Sequence, residues 1–197
     1  MPPLLALLLD APGSASVLPR LAAEIGEQRA VRLYRLLTRR TLDAARDAGL
    51  AVTVWYRPMS AHAEMRSWLG EGTDLRPQAS GALGARIGAA VAATSAPAGW
   101  LVVVREAVGI DATLLRTATA ALEAANLVVG PTSDGGCYLL GGRIQLPEPM
   151  RALPHPRAGA LAAVRDGLGA TGAAWDELPV LPAIETAADA RSARLLT

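Results

Sequence analysis

The stretch Val128–Gly141 (VVGPTSDGGCYLLG) gathers the residue types most suited to chemistry in this chain. An apolar run ends in Gly130-Pro131, an acid follows at Asp134, then Gly135 and Gly136, and the chain turns apolar again. Adjacent glycines let a backbone adopt positive φ or pass close to a ligand. Asp134 at such a tip faces a metal or a hydroxyl, or else closes a tight Asp-Gly turn. Residue type excludes several other chemistries. Cys137 is the single cysteine, which rules out an intramolecular disulfide and a cysteine-rich zinc site. His62 and His155 are the only histidines, and neither has a second ligand near it in sequence. A His-rich metal centre is thereby excluded, while a carboxylate site for magnesium stays open. His155, between two prolines, reads as an exposed loop residue. There is no Gly-x-Gly-x-x-Gly after the first apolar run, no Walker-type Gly-Lys-Ser/Thr and no Gly-x-Ser-x-Gly elbow.

All 19 basic residues are arginine, phenylalanine is absent and asparagine occurs once, at Asn126. With abundant Ala, Gly and Pro, this points to a GC-rich genome, so the missing lysine is first of all mutational bias. A net charge of +1 without any block of like charge gives a nucleic acid or a membrane surface little to attract it. At 197 residues the chain suits one domain spanning 1–197. The apolar run Leu4–Leu9 has no basic residue before it and is far short of the roughly 20 residues that cross a bilayer. It reads as a buried first strand of a cytoplasmic protein.

The elements that must position these residues alternate. Leu4–Leu9, Leu50–Tyr56, Leu75–Gln78, Trp100–Val104, Leu127–Val129 and Cys137–Leu140 read as strands, and Leu178–Leu181 as extended. Between them, 27–48 is an amphipathic helix: Val31, Tyr34, Leu37, Leu42 and Ala45 share a face, Arg29, Arg32, Arg35, Arg39 and Arg40 form a solvated row, and Gly49 stops it. Further helices are expected over 61–69, 81–94, 111–125, 158–168 and 187–196. Pro147–Pro156 is a proline-dense excursion rather than a domain boundary. This rhythm predicts an α/β/α sandwich around a mostly parallel sheet. Ligands on such sheets lie at the carboxyl ends of the strands, in loops 10–20, 78–86, 105–111, 130–137, near 155, and 183–186.

The pattern G-P-x-x-D-G-G-x-Y-L-L-G, preceded by strand, helix and strand, resembles the bacterial DUF2064 group of GT-A-type nucleotide-diphospho-sugar transferases. Its members are often called rSAM/selenodomain-associated or arsenosugar-biosynthesis-type glycosyltransferases. Tyr34-Arg35, with a long helical stretch following, resembles the family's LYRAFLLDTL region, and Gln78–Ile87 its Q-x-G-D-L-G-x-R-M segment. The resemblance implies nucleotide binding through Pro12, Arg20, Gly81, Arg86, Gly135 and Gly136. It implies catalytic and metal-ligating roles, with magnesium or manganese, for Glu106 and Asp134.

Departures from the family fall at the expected site. In the family's opening K-x-P-x-P-G-x-V-K-T-R-L, the second lysine and the threonine stand here as Leu18 and Pro19. The G-S-D-C-P whose Asp is the expected ligand is Val104-Arg105-Glu106-Ala107-Val108. The Asp of G-D-L-G is Ala82, D-V-D-T is Ala183-Ile184-Glu185-Thr186, and W-S-T falls near His155-Pro156-Arg157. Two functions are therefore expected side by side. One is a glycosyltransferase or nucleotidyltransferase, with a nucleotide or nucleotide sugar as partner and an acid-poor site. The other is a catalytically inactive relative that binds ligands or partners, in which Glu106 pairs locally with Arg105 or another arginine.

Overall fold

The computed structural model describes residues 2–15, 17–94 and 98–196. The first strand, β1 (Leu4–Asp10), alternates its side chains between two cores: Leu5, Leu7 and Leu9 point into one, Ala6 and Leu8 into the other. A strand buried on both faces must be apolar at every position, which is why no alternation shows in its sequence. After it come α1 (Pro19–Ile25) and α2 (Glu27–Asp47), then β2 (Val52–Arg57) and α3 (His62–Leu69). Next are β3 (Asp74–Pro77), α4 (Leu83–Ala92), β4 (Trp100–Val103) and α5 (Ala112–Ala124). The hairpin of β5 (Leu127–Pro131) and β6 (Cys137–Gly142) follows, then α6 (Glu148–Arg151), α7 (Ala160–Thr171), β7 (Trp175–Glu177) and α8 (Ala187–Ser192).

The seven strands form one sheet in the order β3-β2-β1-β4-β6-β5-β7. It is mostly parallel, with β6 antiparallel to both its neighbours, β4 and β5. Tyr34, Ala44 and Ala45 of α2 and Leu114, Leu115, Ala118 and Leu122 of α5 cover one face. Leu83, Ile87 and Val91 of α4, Met150 of α6 and Leu161, Val164 and Leu168 of α7 cover the other. A third cluster joins Leu21, Leu33 and Leu37 to Ile184, Ala187 and Ala190, and so fixes the segment before α8 against α1 and α2. No helix among the described residues is long and apolar enough to cross a membrane.

Four element readings need correction. The edge strand is Trp175–Glu177, and Leu178–Leu181 is not a strand: Leu181 makes only an isolated bridge to Thr132. Pro179 and Pro182 lack the N–H groups that a ladder requires. Helix α1 lies where a loop was expected, because its seven residues are too few to show a period and only Pro19 at its first position marks it. Helix α4 starts at Leu83 rather than 81, since Gly81 sits at φ 107, outside helical geometry. The last helix ends at Ser192 rather than 196, with Arg194 in the left-handed region at φ 56.

Candidate functional site

At the carboxyl edge of the sheet a cleft of about 390 Å³ opens between the ends of β1, β2 and β4 and the loop 154–157. Asp10 terminates β1 and Arg57 terminates β2, in register with each other. The Arg57 guanidinium grips Asp10 with two nitrogens, Nε to Oδ1 and Nη2 to Oδ2 at 3.1 Å. The Asp10 hydrogen bond raises the Arg57 pKa, against burial. Tyr34 of α2 reaches into the cleft and donates its hydroxyl to the Asp10 carbonyl at 2.7 Å. Burial above all, then Glu106 and Asp10, holds that phenol well above its ordinary pKa, so it stays a neutral donor.

Beyond β3, the Gln78 amide donates Nε2 to the carbonyls of Leu9 and Trp55, both at 2.9 Å. This leaves its oxygen to accept from Arg86 Nη1 at 2.6 Å. Arg86, on α4, has no carboxylate in ion-pair range among the described residues, and its buried Nε has no hydrogen-bond partner. Burial, and then the charge of Arg57, lowers its pKa. A cation held this way is poised for an anion arriving from the cleft.

The far wall follows β4. Arg105, its side chain only 6% exposed, donates Nη1 to Asp134 Oδ2 at 2.8 Å and Nη2 to Glu185 Oε1 at 2.6 Å. The other Asp134 oxygen accepts from Thr132 Oγ1 at 2.7 Å and from the Gly136 amide at 3.1 Å. The hydrogen bonds of Thr132 and Arg105 hold the Asp134 pKa below its usual range, although burial alone would raise it. Arg157 and Arg20 approach Glu185 at 3.7 and 4.0 Å. Glu106 lines the cleft and forms no ion pair with Arg105 or any other described arginine. Burial pushes its carboxyl up to about 7, with Asp10 and Glu185 adding to the effect and its own backbone amide and Arg105 opposing it.

Of the residues the sequence singles out, Arg86 and Glu106 line the cleft directly. Arg20 stands at its rim beside Glu185, and Asp134 lies behind Arg105. Gly135 and Gly136 shape the turn that carries Asp134, Gly135 at φ 80. Pro12 is buried past the end of β1, and Gly81 precedes α4; neither is among the lining residues. The lining also includes Leu18, left-handed at φ 41, and His155, whose Nδ1 accepts from the Arg157 amide at 3.3 Å. The Asp10–Arg57 pair carried no expected role, and Gln78 none beyond heading the Gln78–Ile87 segment. Strand-end position was the available signal for each.

Gly136 is a glycine for packing reasons. A Cβ there would come within 2.8 Å of Thr132 Oγ1 and 2.9 Å of Arg105 Nη1, and closer still to the Pro156 carbonyl. Gly136→Ala is expected to cost about 2 kcal/mol in chemical denaturation, as overpacking against backbone does.

Magnesium or manganese was the metal the resemblance implied, and the donor set does not suit one. The Asp134 and Glu185 carboxylates are already bridged by a guanidinium, and no group of three or more His, Cys, Asp or Glu side chains among the described residues could hold a metal ion.

The fold is that of the nucleotide-diphospho-sugar transferases. The chain belongs to the family described as an uncharacterized protein conserved in bacteria (DUF2064), whose model matches residues 41–156. A Desulfovibrio desulfuricans G20 protein provisionally named a nucleotide-diphospho-sugar transferase superimposes with a TM-score of 0.83 at 19% identity, over 92% of this chain and 81% of that one. Rv0371c of Mycobacterium tuberculosis H37Rv, solved in complex with manganese, gives 0.60 at 20% identity over 98% of both chains. A nucleotidyl transferase from Methanothermobacter thermautotroptrophicus gives 0.57 at 14% identity, over 97% of this chain and 96% of that one. No curated protein matches the chain in sequence.

Proposed function

We propose that the cleft binds a nucleotide or nucleotide sugar by its diphosphate and transfers a glycosyl or nucleotidyl group to a small hydroxyl acceptor. The observation that carries this reading is Arg86, a part-buried cation on the cleft wall with no carboxylate in ion-pair range among the described residues. The charge balance supports it. Arginines 57, 86, 105 and 157 face Asp10, Glu106 and Glu185, and Glu106, with a pKa of about 7, is only partly ionised near neutrality. Site residues enter in stated roles: Arg86 and Arg157 on the phosphates, Arg20 at the rim, and the Asp134–Gly136 turn behind them. Glu106 is the group suited to take the acceptor hydroxyl's proton. As the acceptor oxygen bonds to the transferred group, the bond from that group to the phosphate oxygen breaks. The leaving phosphate keeps the electron pair, neutralised by guanidinium charge.

A second reading, a binding protein without turnover, draws on Arg105, which consumes two of the acids a metal-assisted transferase would use. Thermal shift against nucleoside diphosphates and nucleotide sugars, followed by product analysis with a sugar or alcohol acceptor, separates the two. A ligand at 100 times its dissociation constant should add about 2.7 kcal/mol of stability. Binding with turnover supports the transferase, and binding alone supports the second reading. No stabilisation by any nucleotide rejects both.

A further inference from the structure

We infer that the Arg105 guanidinium occupies the place of a divalent cation between Asp134 and Glu185, so that the cleft holds its anionic ligand without a metal. The second clause rests on the phosphate-ligand reading above; the first stands on geometry alone. Three separate segments converge on one buried guanidinium: the bend after β4 supplies Arg105, the β5–β6 turn supplies Asp134, and the residues before α8 supply Glu185. A chain that brings two carboxylates together at the carboxyl edge of a sheet needs positive charge there to offset their repulsion. In this chain two N–H groups of one planar fork meet the two acids at 2.8 and 2.6 Å.

The seat has no charge left to offer. The second oxygen of Asp134 is taken by Thr132 and the Gly136 amide. The remaining negative charge at Glu185 faces Arg157 and Arg20. Three arginines thus surround two carboxylates. Magnesium demands near-octahedral oxygen ligation at about 2.1 Å, and a divalent ion entering would have to expel a buried guanidinium or sit against it. The placement of Arg105 also explains how a site can dispense with the metal and still stabilise a leaving phosphate: the same guanidinium lines the cleft. Its charge is weaker than that of a divalent ion but fixed by two partners, which removes the cost of ordering it when ligand arrives.

Manganese alone tests the first clause, titrated into the protein with free Mn²⁺ read by electron paramagnetic resonance. Wild type should bind no stoichiometric ion up to about 1 mM, within the weak end of carboxylate-site affinities. Arg105→Ser frees both carboxylates and should gain one Mn²⁺ per chain, with Asp134→Asn in the same background removing it. Stoichiometric binding by wild type that Asp134→Asn abolishes overturns the inference, as does a folded Arg105→Ser that gains no ion. Should Arg105→Ser unfold, the wild-type titration decides. The second clause is tested by nucleoside diphosphate affinity in EDTA and in manganese: equal values within about twofold support it, and a loss of about tenfold or more in EDTA overturns it. Absence of nucleotide binding in either buffer defeats the phosphate-ligand reading and leaves the manganese arm intact.

Discussion

Arg86→Ala should weaken nucleoside diphosphate binding about 100-fold in calorimetric titration, the equivalent of about 2.7 kcal/mol and in the range of charge-assisted hydrogen bonds. The size follows from how the side chain is held. A flipped Gln78 amide would set its oxygen against two backbone carbonyls, Leu9 and Trp55, so that oxygen is committed to Arg86 Nη1. That bond orients the guanidinium without neutralising it, and its Nε remains buried and unpartnered. In the free protein this arrangement is a cost, because a partly desolvated cation has no direct ion pair among the described residues and Arg57 repels it more than Asp10 attracts it. Arg86→Ala should therefore leave the melting temperature unchanged or raise it while affinity falls. Arg86→Lys should recover only part of the affinity, since an ammonium cannot present the planar fork. An affinity unchanged within twofold in Arg86→Ala would remove this arginine from the ligand site.

Much of the frame was legible in the residues. Central strands such as β1 and β4, buried on both faces, announce themselves as unbroken apolar runs, and the row of arginines along α2 marks its solvent side. The place of β6 between β4 and β5 was not legible, because its pairing with β4 depends on tertiary position rather than on the short turn at Asp134–Gly136. Nor was β7, three half-exposed residues whose pairing with β5 depends on tertiary position. The segment 178–181 looked extended for its apolar residues, but prolines on both sides of Val180 and Leu181 forbid the ladder.

The site was legible only in part, and for a different reason. Glu106 and Arg86 could be placed by resemblance, and both face the cleft. Arg105 looked like an intruder beside a ligand, with Glu106 as its natural local partner. The chain bends at Arg105, past the end of β4, however, and no ion pair forms between the two. Arg105 instead meets Asp134 and Glu185, 29 and 80 residues away. That long-range ion pairing has no sequence period and no spacing rule, so it emerges only once the sheet has brought the three loops together. The same folding leaves Glu106 without an ion pair among the described residues, and its protonation then becomes a measurable property of the cleft.

Glu106 should make the protein lose stability as pH rises from about 4.5 to about 7, relative to Glu106→Gln. The groups facing it are Asp10 from the end of β1, Glu185 ahead of α8, Tyr34 from α2, and the adjacent Arg105. Burial is the largest cause of its raised pKa, and the two carboxylates add to it. In the unfolded chain Glu106 ionises near 4.5; in the folded chain it keeps its proton until about 7. Between these values the folded state binds more protons, so stability falls with rising pH and levels off above 7. The displacement corresponds to on the order of 3 kcal/mol. Glu106→Gln keeps the shape and stays neutral, so it should match wild type near pH 4.5 and exceed it by up to that amount at pH 8. Asp134 works in the opposite sense and in another window. Its lowered pKa contributes stability above its usual carboxylate range, lost only as pH falls below about 4. Urea denaturation of both proteins at intervals from pH 4.5 to 8 reads the difference directly. Parallel curves across that range would mean that Glu106 ionises normally, and would remove it as the group that accepts a proton from the acceptor hydroxyl.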